Sequence, residues 1–332
     1  MVKPSILVTG ATGGLGRVLV AELLARGNKV IATGRNQRIG ALLEATGAQF
    51  VPADLAHDDL SPMMHDVTSV FHLAALSAPF GRTQDFISAN ITATERLLDA
   101  SRKASCSRFI FTSTPSIYAQ PQDQIAITEA TALPVKLANG YAHTKLEAER
   151  AVLSNHCSSM ACIALRPRAI LSPCDTALLP RLLRAAEMGV MPLPYAGRAL
   201  IEPTDARDVV EALLAAQAVA PEAGGRAYNI SSGTAVYLRD LLTHLFQHLG
   251  KDVHLLPVPR RALLAVGTLL EHLSIASRTS EPPITAYGAL ILGWSQTFDL
   301  TAARTALGWI PRHHPFDSIQ WALSERPLCD KS

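Results

Sequence analysis

Ser5-Ile6-Leu7-Val8-Thr9-Gly10-Ala11-Thr12-Gly13-Gly14-Leu15-Gly16 is the stretch that decides how the chain is read. A short apolar run leads into glycines spaced G-x-x-G-x-x-G, and Leu15, Val18, Leu19 and Leu23 follow at helical spacing. The order is strand, glycine turn, helix. Gly10 can turn sharply off the strand end, and Gly13 lets the backbone approach a phosphate. Gly16 lets the helix pack close to the strand. The free N–H groups of the first helical turn then face an anion, which suits a dinucleotide pyrophosphate.

Outward from this unit, short apolar segments at 29–33, 49–52, 69–73, 108–113 and 161–166 read as further strands. Segments 86–104 and 140–155 read as the chief helices between them. This alternation predicts an α/β fold, a doubly wound parallel Rossmann sheet with ligands at the carboxyl ends of its strands. After Pro167 the prolines cluster and the regular alternation stops. Segments 208–219, 238–249 and 261–273 read as helices, and 226–230 as a strand returning to the sheet. The expected division is a dinucleotide-binding domain over 1–167 and a smaller substrate-binding lobe over 168–332, with about 204–232 crossing back.

The 332 residues are 48% hydrophobic and 17% charged, with a net charge of +2. That excludes a disordered chain. It also lacks the basic stripe of a nucleic-acid binder. The five cysteines form no C-x-x-C pair, so reduced thiols in a cytoplasmic protein are expected, with no disulfide framework and no metal site. The first strand starts so early that no signal peptide is expected. No apolar run reaches the ~20 residues of a membrane span. Segment 262–273, interrupted by Glu271 and His272, is expected to be a core helix rather than a membrane-surface one.

Three constellations carry chemistry. Tyr141-x-x-x-Lys145 puts a phenol and an ammonium on one helical face. A nearby ammonium favours the phenolate, so Lys145 is expected to lower the Tyr141 pKa and let it exchange a proton with a substrate oxygen. The competing reading is a surface aromatic beside a solvated lysine. Phe111-Thr112-Ser113-Thr114-Pro115-Ser116-Ile117-Tyr118 follows the fifth strand, where a hydroxyl could stabilise charge on a carbonyl oxygen or merely cap the strand end. Ala32-Thr33-Gly34-Arg35-Asn36 ends the second strand with no acidic residue for a ribose diol. Arg35 suits a 2′-phosphate instead, unless it is only a solvated turn residue.

Nearly the whole chain resembles an extended short-chain dehydrogenase/reductase of the NAD-dependent epimerase/dehydratase superfamily. The resemblance runs from the glycine turn to Phe298-Asp299-Leu300 and Leu307-Gly308-Trp309-Ile310-Pro311. Asp54-Leu55, His72-Leu73-Ala74-Ala75, Asn90-Ile91-Thr92-Ala93-Thr94, Leu165-Arg166-Pro167 and Tyr228-Asn229-Ile230 match intermediate landmarks. The resemblance implies Tyr141 as acid/base and Lys145 as the residue that holds the nicotinamide ribose and tunes Tyr141. It implies Thr114 as the hydroxyl catalyst, with Ser113 in reserve. Asn90 aligns either with a fourth catalytic residue or with a helix-positioning bond. Cofactor contacts are implied at Gly10, Thr12, Gly13, Gly14, Leu15, Gly16, Arg35, Asn36, Asp54, Leu55, Ala74, Ala75, Leu76, Thr112, Tyr141, Lys145, Pro167, Ala169 and Ile170.

Arg166-Pro167-Arg168-Ala169-Ile170 and Ile201-Glu202-Pro203-Thr204-Asp205 lack the asparagine and diphosphate clamp of sugar-nucleotide enzymes. The Arg-Pro-Arg-Ala-Ile segment, with 175–183 and the apolar C-terminal helix, looks more like the 3β-hydroxysteroid dehydrogenase-like and 3-oxoacyl-type reductase branch. The expectation is therefore an NADPH-dependent ketoreductase or alcohol dehydrogenase acting on an apolar small molecule, 3-oxoacyl-, steroid- or polyketide-like. NAD(H) is the alternative cofactor, and family analogy implies a homodimer. Two other readings stand beside it: an epimerase, dehydratase or isomerase that retains NAD(P), and a non-catalytic NADP-sensing scaffold. His143 is expected to face outward, His313-His314 to lie in a solvated loop, and Cys174 to be a pocket or core residue.

Overall fold

The computed structural model describes residues 4–176, 178–277 and 281–326. Seven parallel strands form the main sheet: β1 (Ser5–Thr9), β2 (Lys29–Gly34), β3 (Gln49–Pro52), β4 (Val67–His72), β5 (Arg108–Thr112), β6 (Ala161–Pro167) and β7 (Arg226–Ile230). Their spatial order is β7-β6-β5-β4-β1-β2-β3. The order reverses beside β1, and the crevice of a doubly wound sheet opens at that point. Ile6 pairs with Val30 on one side and Ser69 on the other.

Alternate residues of each strand feed opposite cores, because strand side chains point to opposite faces. Ile6, Val8, Ile163 and Leu165 join one core, and Leu7, Cys162 and Ala164 the other. Helices α1 (Gly14–Ala25) and α2 (Gln37–Ala45) follow β1 and β2, and α3 (Ala93–Lys103) and α4 (Gly140–Ser154) flank β5 in sequence. Leu97 and Leu98 of α3 and Ala148 and Val152 of α4 cover the Leu7 face. In the second half come α5 (Leu179–Met188), α6 (Ala206–Ala218), α7 (Leu238–His248), α8 (Arg260–Ser277), α9 (Ala286–Gly293) and α10 (Pro315–Ser324). Leu213 of α6 packs with Leu19 and Leu23 of α1 on the Ile6 face. With β7 paired to β6, segments on both sides of residue 220 belong to the sheet layer. A third core, with Leu179, Leu193, Leu242, Leu245 and Ile319, holds the smaller lobe together.

Four expectations need correction or refinement. The helix read over 86–104 is present and continuous from Thr83 to Lys103, but it is not α-helical throughout: a π-helical stretch, Ile87–Thr92, lies between the α-helical turns Thr83–Phe86 and Ala93–Lys103. Periodicity over so long a window averages out one inserted residue. Helix α8 is not a core helix. Leu263 is buried, but Val266, Leu269 and Leu273 are 45%, 59% and 56% exposed. The helix packs on α9 through one side only, and no described helix is long and apolar enough to cross a membrane. His313 and His314 lie in a solvent-reached loop as expected, but both also hold structure. His313 shares the buried carboxylate of Asp208 with the backbone N–H of Arg312, and His314 caps α10. Finally, Cys106, Cys157 and Cys162 are free thiols, whereas Cys174 is disulfide-bonded. Sequence spacing within an odd set of cysteines does not reveal a pairing that tertiary proximity makes.

Candidate active site

At the carboxyl end of β1, Gly10 adopts a left-handed φ of +66°, and a Cβ there would lie 2.7 Å from the Ala74 nitrogen. A Cβ at Gly16 would lie 2.2 Å from the Gly10 carbonyl oxygen. No side chain fits at either place, so the turn passes tightly under α1. No side chain caps α1 at Gly13, which leaves its first N–H groups to the crevice. This cradle fits a dinucleotide pyrophosphate.

Two cavities, of about 310 and 230 Å³, meet at Gly10, Gly13 and Ala75. The smaller one is also lined by Thr12, Arg35, Asp54, Leu55, Ala74 and Leu76. The larger one gathers Gly14, Leu15, Gly16, Thr112, Thr114, Tyr141, Lys145, Pro167, Ala169 and Ile170. Segments far apart in sequence thus line one continuous groove. Arg35 is exposed at its rim, and its guanidinium has no hydrogen-bond partner among the described residues. Asn36 lines neither cavity. It caps α2 instead, accepting from the Ile39 N–H at 3.2 Å.

Helix α4 carries the Tyr-Lys pair. Its cap, Asn139, accepts from the Ala142 N–H at 2.9 Å and donates to the Pro79 carbonyl at 3.1 Å, which fixes where the helix begins. His143 faces outward. Lys145 is 2% exposed and donates to the Thr112 carbonyl at 2.6 Å. Its ammonium lies 3.9 Å from the Phe111 ring centroid. Burial depresses its pKa from 10.5 to about 7, with the Glu149 charge opposing.

Tyr141 runs opposite to expectation. Burial pushes its phenol above the ordinary value, against the Thr114 and Ser77 hydroxyls beside it, and Tyr287 adds to the rise. Lys145 spends its ammonium on the Thr112 carbonyl, so burial dominates at Tyr141. The i,i+4 spacing alone did not carry this information.

Thr114 accepts from the Ser116 N–H at 3.2 Å and donates to the Ser116 hydroxyl at 2.9 Å. Ser116 in turn meets the Tyr287 hydroxyl at 2.5 Å. The hydroxyls of Thr112 and Ser113 are buried without a partner among the described residues. Asn90 sits in the π-helical stretch and is fully committed. Its carbonyl accepts from the Leu76 N–H at 2.8 Å, and its amide donates to Thr144 at 3.0 Å and to the Leu76 carbonyl at 3.3 Å. Asn90 therefore ties the Leu76 loop to α4, the positioning bond among the two readings of it.

Two buried networks hold the site from below. His72 lies between Thr9 and Thr94, at 2.7 and 2.9 Å. Thr94 gives its own proton to the Asn90 carbonyl, so the ring N–H is assigned to Nε2 and Nδ1 accepts from Thr9. Burial, then the Lys145 charge, lowers the His72 pKa to about 3 and keeps the ring neutral. Under α4, Arg166 donates to both carboxylate oxygens of Glu149, at 2.9 and 2.5 Å, and to the Tyr118 hydroxyl. Burial alone would depress Arg166, but the Glu149 hydrogen bonds and charge raise it instead.

Tyr287 and Arg168 line the cavity, Arg168 in a segment that sequence reading placed there, Tyr287 unforeseen. Tyr287 lies 171 residues from Ser116, on a helix with no motif of its own. Arg168 stood inside a segment read only for its backbone.

The NAD dependent epimerase/dehydratase family model matches residues 6–231. The chain is 32% identical over 307 residues to a 4-hydroxy-2-methyl-3-oxo-4-farnesyl-3,4-dihydroquinoline-1-oxide ketoreductase of Stigmatella aurantiaca, covering 92% of this chain and 91% of that one. It is 31% identical over 316 residues to a 2-alkyl-3-oxoalkanoate reductase of Stenotrophomonas maltophilia (strain K279a), covering 92% and 94%. A solved UDP-glucuronic acid 4-epimerase from Bacillus cereus, in complex with UDP-glucuronic acid and NAD, superposes with a TM-score of 0.77. It covers 98% of this chain and 99% of that one at 22% identity, a likeness of fold. The chain thus belongs to the NAD dependent epimerase/dehydratase family, within the extended short-chain dehydrogenases/reductases, and is an NAD(P)-dependent enzyme.

Proposed function

We propose that this enzyme interconverts the carbonyl and secondary alcohol of a largely apolar small molecule, with NADP(H) preferred over NAD(H). The observation that carries the reading is one cavity wall. Thr114 and Tyr141 stand together on it, beside Lys145, and the cavity runs on from the glycine turn. A bound nicotinamide supplies hydride to the carbonyl carbon or takes it back. Thr114 holds the carbonyl oxygen, and Tyr141, kept protonated by burial, donates the proton to it. Lys145 holds the ribose and the Thr112 carbonyl together. Asn90 acts at one remove, by fixing the Leu76 loop to α4. Apolar Ile170, Leu178 and Ile291 line the same cavity and suit an apolar substrate. The two relatives are named for reductions of ketones, which supports the reductase reading over a cofactor-retaining epimerase.

Stopped-flow and steady-state absorbance of NADPH with a ketone panel tests this. Tyr141→Phe is expected to lower kcat by roughly 100- to 10,000-fold while NADPH binding stays within about twofold. Near-normal turnover in that variant would remove Tyr141 from the mechanism. Isomerised product with no net NADPH loss would favour the epimerase reading.

A further inference from the structure

Arg168 has an environment that the proposed hydride chemistry does not explain. It directly follows β6, is 6% exposed, and lines the larger cavity together with Tyr141 and Tyr287. Its side chain makes one long hydrogen bond, 3.4 Å to the Ile291 carbonyl, and its buried Nε makes none. No carboxylate lies within ion-pair distance of it among the described residues. Arg166, two positions earlier, is by contrast clamped by Glu149. Glu202 acts on Arg168 only from beyond that distance and spends one carboxylate oxygen on the Ser231 hydroxyl, at 2.5 Å, and the Phe298 N–H, at 3.2 Å.

The backbone around Arg168 is locked. Its N–H donates to the Ile230 carbonyl at 2.9 Å, its carbonyl accepts from Thr204 at 2.6 Å, and Ala169 is held at a φ of +41°. A buried guanidinium with a free donor and only a carboxylate beyond ion-pair distance to balance it is unfavourable unless an anion joins it. Its fork of donors matches a carboxylate. Tyr287 acts electrostatically on both Tyr141 and Arg168, which places it near both. Ile291 and Tyr287 both belong to α9, so the guanidinium meets that helix where it lines the cavity.

We infer that Arg168 receives a carboxylate carried by the substrate, so that the enzyme acts on an oxo acid with an apolar tail. This rests on the ketone–alcohol reading above and adds its substrate class. The carboxylate takes no part in the covalent change. It fixes how far the reacting carbonyl lies from Thr114 and Tyr141.

The test compares a 3-oxo fatty acid with its methyl ester, and separately measures calorimetric binding of the matching 3-hydroxy acid and its ester. Wild type is expected to prefer acid to ester by about 100-fold in kcat/KM and in binding. Arg168→Met is expected to abolish that preference while ester turnover and NADPH affinity stay within about threefold, and Arg168→Lys to retain part of it. An equal loss on acid and ester, or an equal loss of NADPH affinity, would overturn the inference, the latter giving the anion to the dinucleotide. Should Arg168→Met not fold, the wild-type preference and the Arg168→Lys variant decide. Ketone reduction with no acid preference sinks the inference and spares the ketone–alcohol reading. Arg168-dependent binding of the hydroxy acid without any turnover does the reverse.

Discussion

Lys145 directs its ammonium at the carbonyl of Thr112, 2.6 Å away, and that bond crosses from α4 to the end of β5. It joins the helix that carries Tyr141 to the strand that leads into Thr114, so the relative placement of these two hydroxyls depends on one buried contact. The cost of that contact is a lysine kept near neutrality, with a pKa of about 7.

This cost has a definite pH dependence. The native group titrates near 7 and the unfolded one near 10.5, so between those values the unfolded chain binds more protons. Stability contributed through Lys145 therefore rises with pH across that window, by up to about 5 kcal/mol, and the full penalty stands below it. Denaturant midpoints of the cofactor-free protein are expected to climb from neutral to alkaline pH, less so in Lys145→Met. Equal slopes in the two proteins would show that another group is responsible.

The Glu149–Arg166 pair supports α4 from beneath. Glu149→Gln leaves a buried guanidinium without its counter-charge and is expected to destabilise the protein by about 3–5 kcal/mol in urea unfolding. It also removes the charge that holds the Lys145 pKa up, so the Lys145 titration moves further down. Replacing both partners by apolar residues is expected to recover most of the stability. A loss under about 1 kcal/mol in the single variant would mean that water reaches the site.

Arg35 is exposed and has no partner among the described residues, so its replacement touches cofactor choice and little else. Arg35→Asp is expected to lower the NADPH-to-NADH preference by roughly tenfold or more, at unchanged melting temperature, because aspartate repels a 2′-phosphate and accepts from a ribose diol. An unchanged ratio of dissociation constants would move the 2′-phosphate elsewhere.

The sequence by itself determined the strand–glycine turn–helix unit, the parallel sheet and the Tyr141–Lys145 face. Each rests on contacts within a few residues, where spacing and residue type are enough. It missed the π-helical stretch that seats Asn90, since one inserted residue barely alters a long period. Only the tertiary structure decided which way the Tyr141 pKa moves, that Lys145 binds Thr112, that Tyr287 closes a hydroxyl chain with Thr114, and that Arg168 stands buried without an ion-pair partner among the described residues. Those properties depend on what a distant return of the chain excludes from water or fails to supply. Burial and missing partners leave no trace in local spacing.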